Sequence, residues 1–80
     1  MFAAARPPFD PVDAENKIAA LEEKIRRVLT AKGPRSTREL RRDTHADRVG
    51  LWAFEQALKN LVAAGDIELD HALGKYHVTA

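Results

Sequence analysis

Residues 58–69 read Leu58-Lys59-Asn60-Leu61-Val62-Ala63-Ala64-Gly65-Asp66-Ile67-Glu68-Leu69, and the hydrophobic period changes partway along. Leu58 and Leu61 stand three apart, the spacing of one helical face. Gly65 then supplies the residue that closes a helix at its C′ position. Beyond it, Ile67-Glu68-Leu69-Asp70 alternates apolar and polar, which marks a half-buried strand. A helix therefore passes into a strand through one glycine turn, and the rest of the chain is arranged around that junction.

Downstream, Tyr76-His77-Val78-Thr79 alternates again, and His71 to Lys75 with Gly74 can close a hairpin between the two strands. Upstream, the helix extends back to about Leu51, with Leu51, Phe54, Ala57, Leu58 and Leu61 along one side and Val62 at its edge; it is expected over about 51–64. His45-Ala46-Asp47-Arg48-Val49-Gly50 breaks the period and predicts a turn punctuated by Gly50. Ser36-Thr37-Arg38-Glu39 is a capping box: the serine side chain accepts from a third-position amide and the glutamate reaches back. It starts a short second helix running to about His45.

Gly33-Pro34 stops a first helix expected over about 11–31. Asp10 can cap it, Pro11 suits its first position, and Asp13 and Glu15 favour the positive end of its dipole. Ile18, Leu21, Ile25, Val28 and Leu29 form its stripe. Residues 1–10 read as a flexible arm with three alanines and Pro7-Pro8, anchored if anywhere by Phe2 and Phe9; residues 11–80 form the domain. The expected fold is mainly α with a small β-hairpin.

Three helices followed by a hairpin resemble a winged helix-turn-helix. The string at 58–69 looks like the end of a winged-helix recognition helix running into the first wing strand. Gly33-Pro34-Arg35-Ser36-Thr37-Arg38-Glu39-Leu40 is similar to the usual lead-in to the second helix, where a short extended stretch pairs with the wing. More narrowly, Thr37-Arg38-Glu39-Leu40 followed by Ala57-Leu58-Lys59-Asn60-Leu61-Val62-Ala63-Ala64-Gly65-Asp66-Ile67 resembles small winged-helix units attached to replication or mobile-element proteins of bacteria and phages. The resemblance covers about residues 14–79. It implies a DNA-binding role in transcription regulation or replication, or a protein-docking role, because winged helices serve both.

Eighty residues make one domain at most. There is no cysteine, so a disulfide framework is excluded and a zinc-finger-like site is not expected. No apolar run approaches the roughly 20 residues that cross a bilayer, and the first residues do not follow the pattern of a secretory signal. A soluble, cytoplasmic protein with no membrane partner is expected. No Ser-His-Asp order, phosphate loop or paired-carboxylate cleft is recognisable, so neither enzyme activity nor a cofactor is expected. His71 and His77 beside Asp70 are weak grounds for a metal without cysteine.

Net charge is +1, but it is unevenly distributed. Residues 1–23 carry two bases and five acids, residues 24–48 nine bases and three acids, and residues 49–80 two bases and four acids. The middle third, at +6, can face a polyanion while the remainder stays acidic.

The basic residues can be placed on helix faces at 100° per residue. With Leu40 as the buried point of the second helix, Arg38, Arg41, Arg42 and His45 fall at about 100–200°, away from the core, with Glu39 and Asp43 on the flank. A second helix of this motif crosses the DNA backbone and the third faces the major groove. Arg35, Ser36, Thr37 and Arg38, at the start of the second helix, are the expected phosphate contacts, with Arg48 in the turn. On the third helix Trp52, Gln56, Lys59 and Asn60 fall opposite Leu58. Gln and Asn can pair with adenine, and Lys can reach guanine or phosphate. Lys75 is the wing candidate. Duplex DNA is the expected partner.

Trp52 lies off the apolar stripe and three roles stay open to it. It can cover the core edge beneath the wing or the arm, against Phe2 or Phe9. It can anchor a protein partner or a homodimer, as tryptophan often does. It can touch nucleic acid. The second role, with the aromatic arm, defines the alternative function: a protein-interaction module.

Overall fold

The computed structural model describes residues 11–79. In chain order it contains α1 (Pro11–Lys32), α2 (Thr37–Asp43), α3 (Ala46–Val49), α4 (Leu51–Ala63), β1 (Ile67–Asp70) and β2 (Lys75–Val78). The chain is thus mainly helical with one two-stranded antiparallel hairpin. The arm, its two phenylalanines and the Asp10 cap lie outside the described residues.

The stripe of α1 buries Leu21, Ile25 and Leu29, with Ile18 and Val28 packed half-buried beside them. Gly33 ends the helix at φ +82, its amide donating to the Leu29 carbonyl at 2.9 Å. Both arms of the capping box then form at α2: the Glu39 amide donates to Ser36 Oγ at 3.2 Å, and the Ser36 amide donates to Glu39 Oε1 at 2.9 Å. Leu40 is fully buried and is the sole buried residue of α2. Buried Thr44 caps the far end, its hydroxyl donating to the Leu40 carbonyl at 2.7 Å.

The segment 45–50 differs from the expected turn. It holds a fourth helix, α3, of four residues. His45 reverses the chain in the left-handed region at φ 55, Ala46 drops fully buried into the core, and Gly50 donates to the Ala46 carbonyl at 2.8 Å. One helical turn is too short to show a 3.6-residue period, so only tertiary packing of Ala46 distinguishes it from a loop.

Along α4 the buried residues are Ala53, Phe54, Ala57, Leu58 and Leu61, whereas Leu51 is exposed. The buried arc is therefore rotated from Leu58 toward Leu61. Ala53 and Ala57 lack bulk, so α1, the main neighbour of α4, can approach closely on that side. The helix closes with the two bonds of a Schellman motif: Gly65 donates to Val62 at 3.0 Å and Asp66 to Leu61 at 2.9 Å, with Gly65 at φ +80.

The strands pair in the register Ile67 with Val78, Glu68 with His77, Leu69 with Tyr76 and Asp70 with Lys75. Ile67 is fully buried and pins the hairpin to the core. Asp70 organises the turn: its Oδ1 accepts from the amides of Ala72 and Leu73 at 2.9 and 3.3 Å. On the other edge of β2, Arg35 and Tyr76 exchange backbone hydrogen bonds of 3.0 and 2.7 Å as an isolated antiparallel bridge. The lead-in to α2 thus lies against the hairpin.

Candidate nucleic-acid interface

The backbone bridge of Arg35 to Tyr76 brings the first turn of α2 beside the base of the hairpin, and α4 completes a third side. Thr37 of α2, Glu55, Lys59, Val62 and Ala63 of α4, and Tyr76 of β2 line an open groove of about 620 Å³ with Leu58 at its floor. The Glu39 carboxyl is held below its ordinary value, first by the Ser36 amide it accepts from. The field of Lys75 acts in the same direction.

Ion pairing sorts the cations into two groups. Lys17, Arg26, Arg27, Lys32, Arg35, Arg41 and Arg42 each have a carboxylate within 4.0 Å. Lys24, Arg38, Arg48, Lys59 and Lys75 have none among the described residues. Four of these five were expected to meet DNA. Arg38 and Lys59 are exposed on α2 and α4, Arg48 is exposed on α3, and Lys75 is half-buried at the start of β2.

Arg35 is placed differently. Its guanidinium lies 3.6 Å from Glu39 and 3.9 Å from Asp43, only 28 % of the side chain is exposed, and its buried Nε has no hydrogen-bond partner. Arg35 thus braces α2 internally and does not extend outward. Asp43 is the residue that helical angles misplaced on the flank. It sits among the cations, 12 % exposed, with Lys32, Arg35 and Arg42 at 3.6, 3.9 and 3.7 Å. The spacing Arg35-Glu39-Asp43, in steps of four, is a signal that could have shown this. The approach of Lys32 across the Gly33-Pro34 turn is not readable from spacing.

The capping role of Ser36 occupies both its hydroxyl and its amide, whereas Thr37 is exposed at the groove. On α4, the Gln56 side-chain amide donates to Asn60 Oδ1 at 2.8 Å, and the Asn60 amide donates to Glu22 of α1 at 2.8 Å. The two candidate adenine readers are thus chained toward α1. Rotation of the buried arc toward Leu61 explains this: it turns Asn60 to the α1 side and leaves Trp52, Glu55 and Lys59 facing out.

Trp52 is 45 % exposed and is not among the residues packed on the core. Its ring lies over Gly50, where a Cβ would stand 2.5 Å from Trp52 Nε1. Leu51, beside Trp52 at the start of α4, is 42 % exposed, and Val62, at the groove near the other end of the helix, is 44 % exposed. Among the described residues no helix is long and apolar enough to cross a membrane. In comparisons with known proteins, no family model, no curated protein and no solved structure matches this chain.

Proposed function

We propose that this chain is a winged-helix module that binds duplex DNA, chiefly through the phosphate backbone. In this assignment α2 and α4 are the two helices of the helix-turn-helix, α3 fills the turn, and the hairpin is the wing. The observation that carries it is the sorting of charge. Among the described residues, Arg38, Arg48, Lys59 and Lys75 have no carboxylate partner, and they lie on the helices and hairpin that such a module turns toward DNA. By contrast, most cations of α1 and of the C-terminal half of α2 stand beside a carboxylate of Glu23, Asp43, Asp47 or Asp66, Asp43 being shared by Lys32 and Arg42. Unpaired cations release counterions from DNA on binding, which supplies most of the sequence-independent affinity.

A fluorescence-anisotropy titration with a short labelled duplex at low ionic strength tests this. Saturable binding that weakens steeply with salt is expected; no binding at the lowest salt overturns the proposal.

One observation favours a second role. Leu51 and Trp52 expose adjacent apolar surface at the N-terminal end of α4, as a docking face for a protein or a second copy would. Sedimentation equilibrium of the wild type and Trp52→Ala tests the homodimer. Monomers in both, well above micromolar concentration, exclude it.

A further inference from the structure

We infer that the front of α4 reads the C5-methyl groups of pyrimidines in the major groove, through Leu51 and Trp52. The inference rests on the DNA-binding proposal and specifies what its third helix recognises.

A bidentate contact to adenine needs both the oxygen and the amide nitrogen of one Asn or Gln side chain. Asn60 has both engaged, its oxygen by Gln56 and its nitrogen by Glu22. Gln56 has its nitrogen engaged by Asn60. Two 2.8 Å hydrogen bonds therefore tie the Gln56 and Asn60 side chains to α1. The Asn60 amide is thereby turned toward α1.

What reaches forward is apolar. The N-terminal residues of a recognition helix are the ones that contact base edges, and here they are Leu51 and Trp52, 42 % and 45 % exposed. The Trp52 ring rests against Gly50, in the space a side chain there would need, at the N-terminal end of α4. In the major groove the matching apolar feature is the thymine C5-methyl, and apolar side chains are its usual contacts. Burying a methyl against these side chains is worth about 0.8 kcal/mol, or about fourfold in affinity per methyl.

The test compares duplexes that differ only at C5. One pair is an alternating A–T duplex and the same duplex with uracil for thymine. The other is an alternating G–C duplex with cytosine or with 5-methylcytosine. Anisotropy titrations at one fixed salt concentration should show the methylated member of each pair binding at least about fourfold more tightly. Leu51→Ala with Trp52→Ala should bring both ratios to one; circular dichroism confirms that this variant stays helical. Equal affinities within both pairs overturn the inference while leaving the DNA-binding proposal standing. A methyl preference that persists in the double variant also overturns it, since the methyl then acts through duplex shape. Absence of binding to all four duplexes overturns both.

Discussion

Gly50 shows how much one residue can hold. Its φ of +131 lies where side chains are strained, and any Cβ there would stand 2.5 Å from Trp52 Nε1 and 2.9 Å from Cδ1. Two separate costs thus oppose a side chain. Backbone strain of this kind is worth about 1–3 kcal/mol, and the collision with the ring adds to it. Gly50→Ala should lower the urea-unfolding midpoint markedly and shift the emission of Trp52, the single tryptophan. Gly50→Ala with Trp52→Ala should recover the steric part and keep the backbone part. Full recovery in the double variant would show that φ carries no cost. The glycine was legible as punctuation in the sequence. Its second function, giving room to an aromatic ring two residues on, needed the ring's direction, which composition does not contain.

At the scale of elements, α2 depends on its cap and one leucine. Seven residues are too few for an isolated helix to persist in water. The capping box supplies hydrogen bonds at one end, and Leu40 docks the helix on the core. Ser36→Ala should cost about 1 kcal/mol, which for a chain of this size lowers Tm by about 4–8 °C, measured by thermal melting.

The other half of the box responds to pH. The folded state holds the Glu39 carboxyl below its ordinary value of 4.5, mainly through the Ser36 amide. Its stabilising contribution is therefore complete above that ordinary value and is lost as pH falls through the lower folded value. Urea midpoints measured from neutral into acid should fall more steeply for the wild type than for Glu39→Gln; identical profiles would exclude Glu39 as a contributor. This element was readable in advance because both halves of the box lie three residues apart. In contrast, α3 was not, because a single turn with one buried alanine has no period.

For the whole molecule, the distribution of charge matters more than its sum. A +6 segment does not by itself define a binding surface, because most of its cations face carboxylates of the same chain. Each phosphate contact contributes about 0.9 to the slope of log affinity against log salt. If Arg38, Arg48, Lys59 and Lys75 each meet one phosphate, the slope should be about −3 to −4. Arg38→Ala should reduce its magnitude by about one while leaving Tm nearly unchanged. Arg35→Ala should do the reverse, lowering Tm through loss of the bridge to Glu39 and Asp43 and leaving the slope intact. Titrations over a salt series, paired with thermal melts, check both variants.

Local chemistry was enough to place most elements. The stripe of α1, the capping box of α2, the glycine stop after α4 and the alternation of both strands are all short-range patterns, so the sequence alone determined a mainly helical chain with a C-terminal hairpin. Which side chains remain available for a partner is a long-range property. Arg35 was indistinguishable from Arg38 until Asp43 was placed beside it, and Asn60 looked free until α1 brought Glu22 to 2.8 Å. Helical angles give a residue's direction on its own helix but not what stands opposite. That depends on how α1, α2 and α4 pack, and only the tertiary structure decided it.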